Sequence, residues 1–158
     1  MGSLRFTKVE GVGNDYVLVD AFEQDVPDPS GLARAIADRH TGIGSDGLLL
    51  VGPGPQGAVA SMRIFNADGS EGLMCGNGLR CVMRWLQVTG RGAGDEMLVA
   101  TASGPRRGRV GPDGSVEVEM GRPTFQPEAV PVLAEGDPPE VPLPDGLRAD
   151  PDVGFCVS

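Results

Sequence analysis

The chain has 158 residues, 40% of them apolar, enough for one ordinary domain with a core and too many for wholesale disorder. Its net charge of -9, with no cluster of Lys and Arg interleaved with aromatics, excludes nucleic acid as a natural partner. Twenty-five glycines and fourteen prolines imply many turns and short elements, which suit a strand-rich sheet better than a helical bundle.

Cysteine usage and the amino terminus narrow the setting. The three cysteines contain no C-x-x-C pair, and His40 is the only histidine, so no metal site is expected. His40 itself reads as a packed or charge-pairing residue near a helix end. No start resembling a signal peptide and no apolar run of membrane-spanning length occurs, so a cytoplasmic protein without a membrane partner is expected.

In chain order, residues 4–9 and 16–21 read as strands around Gly11-Val12-Gly13-Asn14-Asp15, a hairpin. Ser30 is positioned to cap a helix over residues 30–39, where Leu32, Ala33, Ile36 and Ala37 recur at helical spacing and Gly42 lies just beyond. Residues 48–51 and 62–65 follow as strands. A second helix is expected from just after Cys75 to about Val88, with Leu79, Val82, Met83 and Leu86 on its apolar face and Arg80, Arg84 and Gln87 opposite. Residues 97–102, 106–110 and 115–120 then alternate as a short antiparallel series, with Pro112-Asp113-Gly114 making the last turn. The composition divides the chain into a first domain over 1–122 and a remainder over 123–158. Residues 123–151 hold eight prolines and no sustained periodicity, a connection, and 153–158 read as the first strand of a truncated second domain.

Cys75 is the residue most able to carry chemistry. Set immediately before a helix that opens Gly76-Asn77-Gly78, its sulfur lies near unpaired N–H groups and the positive end of the helix dipole, and small residues there let a carboxylate approach the same backbone. A helix N-terminus contributes only about 0.3–1 kcal/mol, so enclosure and a substrate's own ammonium group must help if a thiol is to act as a base near neutral pH. The spacing alone leaves open an inert, small buried cysteine at a helix start. Asn66 follows a strand and opens a turn, where asparagine is common for backbone-bonding reasons, and Asn14 admits the same reading.

Two other features resemble cofactor sites and fail on context. Gly42-Ile43-Gly44-Ser45-Asp46-Gly47 fits the dinucleotide pattern G-x-G-x-x-G, but it follows a helix and leads into a strand, the reverse of what phosphate binding needs. Lys8 is the only lysine, and its place in an early strand suits a Schiff base to pyridoxal phosphate poorly. No cofactor is expected.

Four segments in register carry a resemblance. Phe6-Thr7-Lys8 leading to Gly11-Val12-Gly13-Asn14-Asp15-Tyr16, Asp38-Arg39-His40 with Gly42-Ile43-Gly44, Phe65-Asn66-Ala67-Asp68-Gly69-Ser70, and Met74-Cys75-Gly76-Asn77-Gly78-Leu79-Arg80-Cys81 resemble diaminopimelate epimerase in order and spacing. The resemblance implies an α/β (α+β) fold in which a mixed, mostly antiparallel sheet rolls around a central helix, one of two similar halves with substrate between them. It implies an isomerase that interconverts LL- and meso-diaminopimelate without metal or pyridoxal phosphate, on the route to lysine and peptidoglycan. Carried over residue by residue, Cys75 is one thiol base, Gly76 and Asn77 help hold the substrate, and Asn14 and Asn66 contact it.

Some relatives carry a glutamine where Gly47 stands, so that substrate contact is absent or replaced here. The opposite thiol belongs to the second half, and neither Cys81, six residues along the same helix, nor Cys156 matches it. The 158-residue chain is therefore expected to be inactive alone. Its partners would be the small-molecule substrate and the missing half in cis or trans, and apolar surface left by that half predicts association, a homodimer included. A proline racemase-like isomerase and a non-catalytic half that binds a complementary chain are the alternatives.

Overall fold

The computed structural model describes residues 3–92 and 94–122. Chain contacts divide the protein into units Met1–Met120 and Gly121–Ser158, and the architecture below is that of the first. The connection expected over 123–151, the strand expected over 153–158 and Cys156 fall outside the described residues.

Strands β1 (Thr7–Gly11) and β2 (Asn14–Asp20) form the expected hairpin, with Gly11 opposite Asn14. The turn is tighter than expected. It consists of Val12 and Gly13 alone, with φ of 53° and 86°, the left-handed pair that matches strand twist in a two-residue hairpin. Asn14 and Asp15 are consequently strand residues whose side chains alternate between faces, rather than loop residues.

Helix α1 (Pro29–Ala37) begins two residues earlier than Ser30 suggested, because Asp28 is the cap, its Oδ1 accepting from the Gly31 N–H at 2.8 Å. Pro29 sits in the first turn, where its missing N–H has no intrahelical partner to lose. The helix stops at Ala37 instead of 39, since Asp38 turns to extended ψ and its carboxylate accepts from the N–H groups of His40 and Thr41. His40 is exposed beyond the helix end.

The chain continues through β3 (Gly47–Gly52), β4 (Ala60–Asn66) and the two-residue β5 (Glu71–Gly72) into helix α2 (Gly76–Val88). Strands β6 (Glu96–Thr101), β7 (Gly104–Val110) and β8 (Val116–Val118) complete it. The sheet order is β1-β2-β3-β4-β6-β7-β8, with β5 beside β4. Pairs β2/β3 and β4/β6 are parallel and the others antiparallel. Each parallel pair is joined through a helix, as a crossover requires. Strand β5 escaped the sequence reading because two residues carry no period.

The two helices lie on opposite faces of the sheet, and strand alternation shows it. Val17, Val19, Leu48, Leu50 and Phe65 pack with Ala33 of α1, whereas Tyr16, Leu18, Leu49, Val51, Met62 and Ile64 pack with α2. Strand β3 is buried along its whole length for this reason and reads as an unbroken apolar run.

Helix α2 touches β1, β2, β4, β7 and β8, so the sheet curls around it. Besides the predicted stripe it buries Gly78, Cys81 and Trp85. A stripe is what a helix needs against a flat partner, and a curled sheet covers more of its circumference. No helix among the described residues is long and apolar enough to cross a membrane.

Candidate active site at the start of the central helix

Cys75 is the N-cap of α2, extended at φ -143° and ψ 111°, and its Sγ accepts from the Gly78 N–H at 3.3 Å. The first bond within the helix runs from the Leu79 N–H to the Cys75 carbonyl at 2.8 Å. Among the described residues, the N–H groups of Gly76 and Asn77 make no hydrogen bond. Two free donors therefore flank the sulfur at the positive end of the helix, which has no acidic residue in its first turn.

A second group reaches the sulfur from the sheet. Tyr16 Oη lies 3.1 Å from Cys75 Sγ, across 59 positions of sequence. Tyr16 is only 4% exposed, and burial together with the contact to Cys75 pushes its phenol above the usual range. Either atom can donate in this contact, the phenol to the sulfur or a thiol to the phenolic oxygen, and the phenol is the donor once the sulfur is ionised. Cys75 Sγ thus accepts from the Gly78 N–H, shares a hydrogen bond with Tyr16 Oη and remains half-buried.

Beside the sulfur runs a row of polar side chains. Arg80 Nη1 donates to Asn77 Oδ1 at 2.9 Å, Asn77 Nδ2 to Asn14 Oδ1 at 2.9 Å, and Asn14 Nδ2 to Asp46 Oδ2 at 2.9 Å. The same Asp46 oxygen accepts from the Asp15 N–H at 3.0 Å, and Asp46 Oδ1 accepts from Arg39 at 2.9 Å. Arg39 also bonds Asp15, at 2.6 Å, and the Lys8 ammonium pairs with Asp15 at 2.5 Å. Arg39 first and Lys8 second hold the Asp15 carboxyl down at about 2. The bonds from Asn14 and from the Asp15 N–H likewise lower that of Asp46.

Of the residues singled out in the sequence, Cys75, Gly76, Asn77 and Asn14 are thus brought together. Asn66 is at the same end of the sheet, because Tyr16 is aligned with Gly47 and Gly47 with Asn66 across three strands. Its side chain, however, is exposed and donates to Ser70 Oγ at 2.9 Å, inside its own turn. Gly47 lies flush on β4. A Cβ built there would be 2.5 Å from the Phe65 carbonyl oxygen, so this backbone as it stands takes no glutamine.

The G-x-G-x-x-G segment has no backbone donors to offer a phosphate. The N–H groups of Gly42, Ile43, Gly44 and Ser45 bond carbonyls of Asp38, Ile36 and Ala37, and that of Asp46 bonds the Asp15 carbonyl. Its role is to close the C-terminus of α1 and deliver Asp46 to the polar row. Cys81 is buried, which pushes its thiol up to about 11, far from use as a base. Lys8 Nζ, besides pairing with Asp15, donates to the Gly44 carbonyl. Among the described residues, no group of three or more His, Cys, Asp and Glu is placed to hold a metal ion.

Sequence reasoning missed Tyr16, Asp46 and Arg80. For Tyr16 a signal was present, since alternation along β2 puts it on the same face as Asn14. Asp46 was hidden in a segment dismissed for a different chemistry.

Comparison with known proteins bears on this arrangement. The sequence model of the family described as Diaminopimelate epimerase matches residues 6–126, most of the chain and every site residue above. This chain belongs to the diaminopimelate epimerase family. A diaminopimelate epimerase of Geobacillus kaustophilus is 47% identical over 139 residues, 84% of this chain and 48% of the relative. One from Desulfovibrio desulfuricans is 45% identical over 137 residues, and one from Moorella thermoacetica is 43% identical over 160, which is 98% of this chain and 57% of the relative. The chain spans about half the length of the curated relatives it matches.

Solved structures share the fold at low identity. A hydroxyproline epimerase from Agrobacterium vitis superposes with a TM-score of 0.58 at 19% identity, over 73% of this chain and 40% of its own. A phenazine biosynthesis protein of the PhzF family from Bacillus anthracis gives 0.59, also at 19%, over 75% and 40%. Diaminopimelate epimerase membership and the curled sheet around one helix therefore agree.

Proposed function

We propose that this chain is the Cys75-bearing half of an isomerase that interconverts LL- and meso-diaminopimelate by proton transfer between two thiols. The observation that carries the reading is the sulfur at the start of α2, held by the Gly78 N–H and Tyr16 Oη with the free N–H groups of Gly76 and Asn77 beside it. Those donors suit a substrate α-carboxylate, which places the α-carbon next to the sulfur. Asn14 and Asn77 offer further polar contacts, and Asn66 joins them once its turn-bound amide is released.

In the forward step the Cys75 thiolate takes the α-proton, and a thiol on the opposite face returns a different proton to the same carbon. No electron is gained or lost. The second thiol comes from the other half, so the 158 residues alone hold one base and do not turn over. Lys8, the one lysine of these 158 residues, is engaged with Asp15 and the Gly44 carbonyl, so this half offers no free amine for a Schiff base to pyridoxal phosphate. The setting is cytoplasmic, and the partner is the complementary half, in cis or trans, or a second copy.

The test is incubation with LL-diaminopimelate in deuterated water, following isomer ratio and α-deuterium. The 158-residue chain should give no sustained isomer conversion, and conversion by a pure sample would remove the claim of inactivity. With the second half supplied, conversion should appear and depend on Cys75. A preference for proline or hydroxyproline over diaminopimelate in the same assay would move the substrate assignment to the racemase-like alternative.

A further inference from the structure

Asn14 and Asn77 are symmetric in shape, and each amide could face its neighbour either way round. The ends of the row decide. An ionised carboxylate only accepts hydrogen bonds and a guanidinium only donates them. Asp46 therefore requires the Nδ2 edge of Asn14, which turns Asn14 Oδ1 toward Asn77. Starting from the other end, Arg80 requires Asn77 Oδ1, which turns Asn77 Nδ2 toward Asn14. Both ends demand the same orientation of both amides, leaving each with one N–H and one carbonyl lone pair for a bound molecule.

We infer that Asp46 is a positioning residue: it sets which edges of Asn14 and Asn77 are presented to substrate, with Arg80 fixing the same polarity from the opposite end. The inference rests on the proposed function in taking those two amides as substrate contacts. Three donors converge on Asp46, namely Asn14 Nδ2 and the Asp15 N–H on Oδ2 and Arg39 on Oδ1. A leucine at 46 accepts from none of them, so it leaves Arg80 as the one end that still sets the row. The Asp46 charge is kept in place by those donors, and its carboxyl titrates below the usual range. The groups around it are Arg39, Asp15, Asn14 and, through Asp15, Lys8. The position is far from arbitrary, because the glycine-rich segment that brings Asp46 here has its own N–H groups committed to the end of α1.

The experiment reads amide orientation directly, as scalar coupling through hydrogen bonds in the isotopically labelled full chain. The native protein should show coupling from Asn77 Nδ2 to the Asn14 side-chain carbonyl carbon and from Asn14 Nδ2 to the Asp46 carboxyl carbon. Absence of both in the native spectrum overturns the inference without any variant. In Arg80→Met the Asn77-to-Asn14 coupling should persist, because Asp46 alone still holds the polarity, and in the double variant Arg80→Met/Asp46→Leu, with the backbone spectrum otherwise retained, it should fall by at least half. Undiminished coupling in Arg80→Met/Asp46→Leu, or its loss in Arg80→Met alone, overturns the proposal.

Titration with diaminopimelate separates this from the functional reading. If the ligand shifts both amide resonances and the coupling survives Arg80→Met/Asp46→Leu, the positioning role fails while the substrate reading stands. If the coupling falls as expected but the ligand leaves both resonances unmoved, the orientation claim stands and the substrate reading fails.

Discussion

The two helices of this protein begin in the same way and to different ends. At α1 the Asp28 carboxylate accepts from the N–H three residues on, and at α2 the Cys75 sulfur does so. Asp28 is a favoured cap and cysteine is not. At α1 the next residue, Pro29, has no N–H to leave unpaired, whereas the N–H groups of Gly76 and Asn77 at α2 make no hydrogen bond among the described residues. Asp28 is exposed to water, while Cys75 is half-buried under Tyr16. One helix start is arranged for stability. The other leaves its donors open around the sulfur that the proposed function makes a base.

The comparison is open to attack by substitution, beginning where the effect is largest. In the protein with its second half present, Cys75→Ser should lower deuterium incorporation from solvent by about 10³-fold, within the range for loss of a general base. The serine hydroxyl still accepts from the Gly78 N–H, so the helix start should survive and thermal stability should change by less than about 1 kcal/mol. Unchanged turnover would return Cys75 to the status of an ordinary cap.

Next comes the difference in burial. Leu79 in the first turns of α2 is fully buried and Leu32 of α1 only partly so. Leu79→Ala should therefore cost about 3 kcal/mol in urea unfolding and Leu32→Ala about half of that. Equal losses would contradict the picture of a sheet curled around α2 alone. Asp28→Ala should cost about 1 kcal/mol and leave deuterium exchange untouched, the mirror image of the Cys75 result.

The smallest effect is a pH dependence at the joint between α1 and the site. Arg39 and Lys8 lower the Asp15 carboxyl to about 2 in the folded protein. Between that value and the unfolded carboxylate range near ~4, the unfolded chain binds the extra proton, so stability rises with pH. The contribution is complete above the unfolded value and disappears as pH falls through about 2. Arg39 is exposed, so solvent screens the pair and keeps the effect small. Melting curves of native protein and Asp15→Asn should differ at pH 6 and converge in acid; a gap that persists undiminished at low pH would assign it to something other than this charge.

How much of this was legible beforehand depended on the range of the interaction. The hairpin, both helices, the terminal antiparallel strands and Cys75 at a helix start follow from turn residues and periods contained in short windows. Where boundaries moved, the cause was also local but conditional: Asp28 displaced Ser30 as the cap, and Asp38 stopped α1 by bonding its own following N–H groups. Asn66 displays the turn chemistry that its surroundings predicted, and only its place at one end of the sheet connects it with the other candidates.

The sequence by itself determined which residues cap, alternate and turn, and through its family-like segments it singled out the sulfur. Tertiary structure decided what surrounds that sulfur. Tyr16 reaches it across 59 positions, and Asn14 meets Asn77 across 63 and Asp46 across 32. Local periodicity states which face a side chain takes, but two faces meet only through strand order, register and curl, and those are set cooperatively by the whole core.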